Sequence, residues 1–243
     1  MNKYIDCWYI TCRGSQRTIN QDNIVCAKIF KPYICPDMEA VQYARIPLEK
    51  NLMFAVFDGM GGEECGEIAS FLAADLLYKY ETDSEENLKA FCNKANDRIK
   101  KYMEENMIFS MGTTTAIVLI TCDSIEFCNL GDSGIYELST SCLTKLSKNH
   151  TIKMYGHKKP ALYQYLGICE EDTALEPYES EQKYERNKMY LICSDGLTDM
   201  VPETEIHNVL CENEIHSAAM KLLEKAYENG ARDNISFILL RLG

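Results

Sequence analysis

Residues 52–59 read LMFAVFDG, and this stretch decides the fold. Six consecutive apolar residues are typical of a strand that is buried on both faces, and the pair Asp58-Gly59 marks its end. Three more acids stand at the ends of apolar runs: Asp132 after residues 127–131, Asp195 after residues 189–194, and Asp233 just before residues 235–240. The ends of four apolar runs therefore carry an aspartate, and three of these aspartates have a neighbouring glycine.

Acidic side chains that meet at strand ends repel one another and lose hydration, so they require a cation. Carboxylates, backbone carbonyls and water are the ligands that Mg²⁺ and Mn²⁺ prefer. Two adjacent ions would activate a water and hold a phosphoryl oxygen in line for attack. For one Asp-Gly pair an ordinary turn is the simpler explanation, and spacing alone does not establish that four acids meet. The hypothesis requires the acids to meet one another and not to be joined to lysines instead.

The remaining pattern indicates an α+β domain. Apolar runs predict further strands at residues 7–11, 23–29, 113–121, 125–129 and 188–193. Helical spacing of apolar residues predicts one helix over residues 64–81 and another that ends near residue 106, with Ser84 as its N-cap. Short helices are expected after Pro202 and His216. Strands grouped around a helical pair favour a layered domain over an alternating doubly wound fold.

Residues 150–186 are polar, rich in tyrosine and weakly periodic. We expect either a flap beside the core or a long surface loop with a short helix. Residues 1–243 are accordingly treated as one domain, with residues 150–187 as the flap region.

Composition excludes several classes of function. The formal net charge is -12, so nucleic acid and anionic membrane surfaces are not expected partners. The 12 cysteines form no CxxC pair and lie in apolar segments, which is typical of reduced thiols in a cytoplasmic protein. No apolar stretch is long enough for a signal peptide or a membrane helix.

Six sequence blocks occur in one order along the chain and together resemble the metal-dependent protein phosphatases, the type 2C family, in its bacterial form. They are Arg17-x-x-Asn20-Gln21-Asp22, Phe57-Asp58-Gly59-Met60-Gly61-Gly62, Gly112-Thr113-Thr114, Asn129-Leu130-Gly131-Asp132-Ser133, Ser194-Asp195-Gly196-Leu197-Thr198-Asp199 and Asp233-Asn234-Ile235-Ser236. The resemblance spans positions 17–236. It implies a four-layer α-β-β-α sandwich, in which helices flank two stacked antiparallel β-sheets.

The resemblance also implies a role for each matching residue. A centre of two Mg²⁺ or Mn²⁺ ions is expected, with Asp58 bridging both ions and Asp195 and Asp233 as further ligands. The Gly59 carbonyl is a further expected ligand, Arg17 is expected to bind phosphate, and Thr113 and Thr114 are expected to be structural. Gln21 and Asp22 are expected near the ions, and Asp132 with Asp195 is expected to form a third, weaker metal site.

Some positions depart from the family pattern. Gln21 replaces an acid, Asn149-His150 replaces Asp-His, and the stretch that follows is shorter than usual. Met60 stands where many eukaryotic members have a histidine, so we expect a metal-bound water to protonate the leaving group. The expected substrates are proteins phosphorylated by a serine/threonine kinase, hydrolysed by direct attack of water, and the expected state is a monomer.

Three alternatives stay open at the level of sequence. Cys7 and Arg13 match the Cys-x5-Arg pattern of cysteine-based phosphatases, although the segment between them is typical of a strand. Residues 57–64 have the strand, glycine-rich turn and helix start of a nucleotide fingerprint, but they carry acids that would repel a pyrophosphate. A protein of this family shape could also bind phosphoproteins without turnover.

Overall fold

The computed structural model describes residues 3–60, 65–80, 87–156, 159–169 and 174–243. The strands, in chain order, are β1 (Tyr4–Cys12), β2 (Asn23–Cys26), β3 (Gln42–Pro47), β4 (Leu52–Phe57), β5 (Thr115–Ile120), β6 (Ser124–Leu130), β7 (Gly134–Leu138), β8 (Leu143–Lys145), β9 (Thr151–Ile152), β10 (Ala161–Leu162), β11 (Tyr178–Lys183), β12 (Met189–Cys193) and β13 (Ile235–Leu242). The helices are α1 (Gly66–Lys79), α2 (Leu88–Asn106), α3 (Asp195–Thr198), α4 (Glu203–Glu212) and α5 (Ile215–Glu228).

Two antiparallel sheets form the centre of the protein. The first has the order β3-β1-β13-β12-β7-β8 and the second has the order β11-β6-β5-β4-β2. Strands β9 and β10 pair only with each other among the described residues.

Three hydrophobic clusters hold the layers together. One lies between the two sheets and includes Phe54 and Ile238. A second packs the outer face of the first sheet against α4 and α5, and a third packs the outer face of the second sheet against α1 and α2. Central strands are therefore buried on both faces, which explains why their sequences are runs of apolar residues rather than alternations. The predicted α-β-β-α sandwich is confirmed.

Most of the predicted elements are present, with shifted ends. The predicted cap Ser84 lies outside the described residues, and α2 instead begins after Asn87, whose Oδ1 accepts a hydrogen bond from the Ala90 N–H at 2.9 Å. Strand β2 is shorter than predicted because Ala27 takes a left-handed conformation, with φ of 47°. Helix α4 follows Pro202 as expected, whereas α5 begins at Ile215, before His216, and is not short at 14 residues. The sequence did not predict α3 or the strands β3, β7, β8, β9, β10 and β11. In the described ranges, we find no helix with the length and apolar character to span a membrane.

The prediction for residues 150–186 is wrong in part. Tyr178–Lys183 is not an excursion from the core, because it pairs with β6 along its whole length as the edge strand of the second sheet. The segment before it is also tied to the core, since Leu166 exchanges backbone hydrogen bonds with Thr113. Among the described strands of this segment, β9 and β10 lie outside the two large sheets.

Candidate metal centre

The aspartates identified in the sequence meet at one edge of the sandwich. Asp58 and Asp132 follow strands of the second sheet, whereas Asp195 and Asp233 flank strands of the first sheet. Asp22 precedes β2 and joins them. Burial and the charges of Asp22, Asp195, Asp132 and Asp233 raise the pKa of Asp58 well above its usual range. Four carboxylates therefore oppose the ionisation of Asp58, which is an arrangement that a cation stabilises.

The backbone of Asp58 is held by two threonines. Its N–H donates to Thr114 Oγ1 at 3.1 Å, and its carbonyl accepts from the Thr114 N–H at 2.8 Å and from Thr113 Oγ1 at 2.9 Å. Thr114 Oγ1 also lies 2.6 Å from Ser133 Oγ, beside Asp132. These bonds fix the end of β4 and give Thr113 and Thr114 a positioning role.

Glycine follows Asp58 and Asp195 because another backbone passes there at close range. A Cβ on Gly59 would lie 2.5 Å from the Gln21 carbonyl oxygen and closer still to the carbonyl oxygen of Gly66. A Cβ on Gly196 would overlap the carbonyl oxygen of Asn234. The contact of Gly59 with Gly66 places the start of α1 next to Asp58. The contact of Gly196 with Asn234 brings together the two segments that carry Asp195 and Asp233.

Asp22 is buried beneath the site. Its carboxylate accepts a hydrogen bond from Ser194 Oγ at 2.8 Å, and its N–H donates to Asn20 Oδ1 at 3.1 Å. Burial raises the pKa of Asp22 to about 7, against the opposing effect of hydrogen bonds from Ser236 and Ser194. The neighbouring Gln21 side chain donates to Glu67 Oε2 at 3.1 Å.

Two cations contact the acidic cluster. Arg17 donates to Asp233 Oδ2 at 2.8 Å. Lys159 Nζ lies 3.1 Å from Asp195 Oδ2, 3.0 Å from Asp199 Oδ2 and 3.8 Å from Asp233 Oδ2. The requirement that the acids be free of lysine is therefore not met in full. However, the contacts of Arg17 and Lys159 involve only Asp195, Asp199 and Asp233, and Asp22, Asp58 and Asp132 form no salt bridge with a described lysine or arginine.

The donor set fits a hard divalent cation. It consists of carboxylate oxygens and the Gly59 carbonyl, without a histidine or thiolate, which favours Mg²⁺ or Mn²⁺. Within the described ranges, no group of three or more His, Cys, Asp or Glu side chains is arranged to hold an ion as it stands. The Lys159 ammonium lies among three of these carboxylates, so metal binding would require them to exchange partners.

Asp132 is a buried acid of the cluster that the charge of Asp195 affects. Burial and the charge of Asp195 raise the pKa of Asp132 to about 6. Burial also raises the pKa of Asp195, although Lys159 lowers it. The structure thus brings together the two acids that were expected to form a third site.

Sequence reasoning missed Lys159 and Asp199 as members of the site. Asp199 had a signal, since it stands four residues after Asp195 and one helical turn brings such residues to the same face. Lys159 had none, because it lies in the polar segment far from the six blocks. Met60 gives no proton donor, and its N–H donates to the Gly112 carbonyl at 3.1 Å.

The structure tests the cysteine-based alternative, but most of the segment of the nucleotide alternative lies outside the described residues. Cys7 is fully buried in β1, with β3 and β13 on either side, so it does not lie in a phosphate-binding loop. Residues 61–64, which include most of the glycine-rich turn of the nucleotide alternative, lie outside the described residues.

Comparisons with known proteins agree with this geometry. The sequence profile described as protein phosphatase 2C matches residues 40–225. The serine/threonine phosphatase Stp of Listeria welshimeri is 30% identical over 213 residues, which cover 76% of this chain and 82% of that protein.

Two solved structures share the fold. The catalytic domain of the phosphatase PstP in complex with two manganese ions superposes with a TM-score of 0.74 at 24% identity, covering 98% of this chain and 99% of that one. Stp1 of Staphylococcus aureus gives a TM-score of 0.78 at 24% identity, covering 97% and 94%. With a profile match over most of its length and a relative at 30% identity, the chain belongs to the protein phosphatase 2C family.

Proposed function

We propose that this protein, a metal-dependent serine/threonine protein phosphatase, hydrolyses phosphoserine and phosphothreonine at the aspartate cluster described above. The observation that carries the proposal is the convergence of five carboxylates at one edge of the sandwich, where four of them oppose the ionisation of Asp58 and Arg17 contacts Asp233. Membership of the protein phosphatase 2C family supports it.

Asp58, Asp195, Asp233 and the Gly59 carbonyl would hold two ions, and Asp132 with Asp195 would hold a weaker third. When bound, such ions lower the pKa of water and neutralise charge on a phosphate ester. The oxygen donors suit both Mg²⁺ and Mn²⁺, so we propose one of these two as the natural ion. Asp22 supports the centre from below, where Ser194 holds its carboxylate.

Arg17 would bind the phosphate. One of its terminal nitrogens is held by Asp233, which orients the guanidinium, while 40% of the side chain stays exposed. The remaining N–H groups form a planar fork that matches two phosphate oxygens. Neutralising Asp233 would therefore both weaken metal binding and misorient Arg17.

Direct hydrolysis is the route we propose, without a phosphoenzyme. The cysteine of the Cys-x5-Arg segment is fully buried within a sheet and cannot reach a phosphate ester. Trapping of a covalent phosphoenzyme would contradict this route.

We further propose that the protein works as a cytoplasmic monomer on the phosphorylated products of serine/threonine kinases. The 12 cysteines are all free thiols, which is consistent with a reducing compartment. The net charge of -12 disfavours nucleic acid and anionic membrane surfaces.

The test is hydrolysis of p-nitrophenyl phosphate and a phosphothreonine peptide with Mn²⁺, Mg²⁺ or EDTA. We expect turnover with either ion, none with EDTA, and a loss for Asp195→Asn larger than the ~10–100-fold that an outer partner of a metal ligand contributes. Asp123→Asn, on an exposed turn between β5 and β6, is the matched control and should retain full activity. Binding of the phosphopeptide without turnover would contradict the proposal.

A further inference from the structure

Lys159 is the one residue of the β9–β10 connection, among those described there, whose side chain reaches the aspartate cluster. Its ammonium contacts Asp195, Asp199 and Asp233 at 3.0–3.8 Å. The side chain as a whole is 62% exposed. Lys159 therefore reaches the site from the surface and not from the core.

The oxygen atoms that bind Lys159 are the ones that a metal ion needs. Oδ2 of both Asp195 and Asp233 faces the ammonium, and these are two of the proposed metal ligands. An ammonium on these oxygens opposes binding of a divalent cation to them, because two positive charges at contact distance repel. Lys159 and metal ions are therefore alternative partners for this side of the cluster.

We propose that Lys159 is a tethered competitor of the divalent cation, which neutralises Asp195, Asp199 and Asp233 in the metal-free protein and is displaced when metal binds. The inference rests on the proposed function, since it assumes that these aspartates are metal ligands. Displacement would release the β9–β10 hairpin from the site. Metal uptake and hairpin mobility would then be coupled through one side chain.

Competition has a measurable size. If the lysine leaves the carboxylates in only ~10% of molecules, the apparent metal affinity is reduced ~10-fold, and removal of the ammonium restores it. The divalent ion prevails at saturation because it carries twice the charge and takes several oxygen ligands at once. A lysine that stayed on the carboxylates when metal bound would also weaken metal binding through its charge, but Mn²⁺ would then leave hydrogen exchange of the β9–β10 residues unchanged.

The test is calorimetric titration of the full chain with Mn²⁺ in three forms: wild type, Lys159→Met, and the control Lys153→Met. Methionine keeps the length of the stem and removes the charge. Lys153 is exposed, directly follows β9, and makes no ion pair with the described residues. We expect Lys159→Met to bind Mn²⁺ about 10-fold more tightly, and Lys153→Met to match wild type.

Hydrogen exchange in residues 151–156 and 159–162 gives a second readout. Mn²⁺ should increase exchange of this hairpin in wild type, whereas Lys159→Met should exchange fast with or without Mn²⁺. Equal Mn²⁺ affinity in wild type and Lys159→Met, or weaker binding by the variant, would overturn the competitor role. Failure of both proteins to bind Mn²⁺ would instead refute the proposed function itself, and far-ultraviolet circular dichroism establishes that each variant is folded.

Discussion

The substitution Gly59→Ala tests how the protein positions its central aspartate. A Cβ at this position would meet the Gln21 carbonyl oxygen at 2.5 Å and the Gly66 carbonyl carbon at 2.6 Å. Ordinary contacts of a Cβ begin at 3.4 Å and the Gly66 carbonyl oxygen lies closer still, so both backbones must move away from Gly59 by about 1 Å. Neither neighbour is a flexible side-chain end, because both atoms belong to the main chain.

The expected cost falls on two quantities. Overpacking of this kind costs about 1–3 kcal/mol of unfolding free energy. Because Gly59 adjoins Asp58, the same movement also misplaces the carboxylate, and a displacement near 1 Å at a reacting centre costs ~100-fold in rate. We therefore expect kcat/KM to fall about 100-fold in a protein that is folded at 25 °C.

The assay is Mn²⁺-dependent hydrolysis of p-nitrophenyl phosphate, beside urea unfolding of the same preparation. Ile120→Val is the control, because Ile120 is fully buried at the end of β5 that is remote from Thr115 and from the site. This substitution should lower the free energy of unfolding by about 0.5–1.5 kcal/mol. The control should lose stability and keep its rate. Full activity of Gly59→Ala would refute the view that backbone contact at this glycine positions Asp58.

Three further outcomes follow from other parts of the structure. Arg17→Lys keeps the positive charge but loses the planar fork of N–H donors, so KM for a phosphopeptide should rise about 10-fold. The affinity for Mn²⁺, measured by calorimetry, should stay within twofold of wild type. An unchanged KM would contradict phosphate binding by Arg17. Asn20→Ala leaves the buried N–H of Asp22 without its acceptor, so the free energy of unfolding in urea should fall by about 1–3 kcal/mol. A loss below about 0.5 kcal/mol would show that this hydrogen bond is dispensable. Burial opposes ionisation of Asp6, but bonds from two arginines and Tyr43 prevail and lower its pKa to about 2. The ionised Asp6 therefore contributes about 2 kcal/mol to the free energy of unfolding, in full above pH ~4, and this contribution is lost as the pH falls through 2. In urea unfolding, the free energy of Asp6→Asn should fall less steeply with decreasing pH than that of wild type. Equal slopes would contradict the assignment.

The layered fold was predictable from sequence because its central strands have a clear apolar signal. Strands such as β4 and β13 are buried on both faces, so each appears as an unbroken apolar run. The edge strands β3 and β11 were not predictable in the same way. Each pairs with one neighbour and has mostly exposed or half-buried side chains, so the sequences QYARIP and YESEQK carry no apolar signal.

The residue types of the site were predictable, but their partners were not. Asp58 and Asp195 stand out because each follows an apolar strand and precedes a glycine. The contacts of Gly59 with Gln21 and of Gly196 with Asn234 depend on how distant segments pack, which no local pattern encodes. Lys159 is the clearest case, since one lysine among many in a polar segment meets three aspartates only through the placement of the β9–β10 hairpin.

The most direct test of the account is anomalous diffraction at the manganese absorption edge from a crystal grown with Mn²⁺. We predict two strong peaks bridged by Asp58, with Asp195 and Asp233 as ligands and the Gly59 carbonyl on one ion, and with Lys159 withdrawn from the carboxylates. Absence of manganese between Asp58 and Asp195 at saturating Mn²⁺, with Lys159 still bound to the aspartates, would contradict the existence of the metal centre.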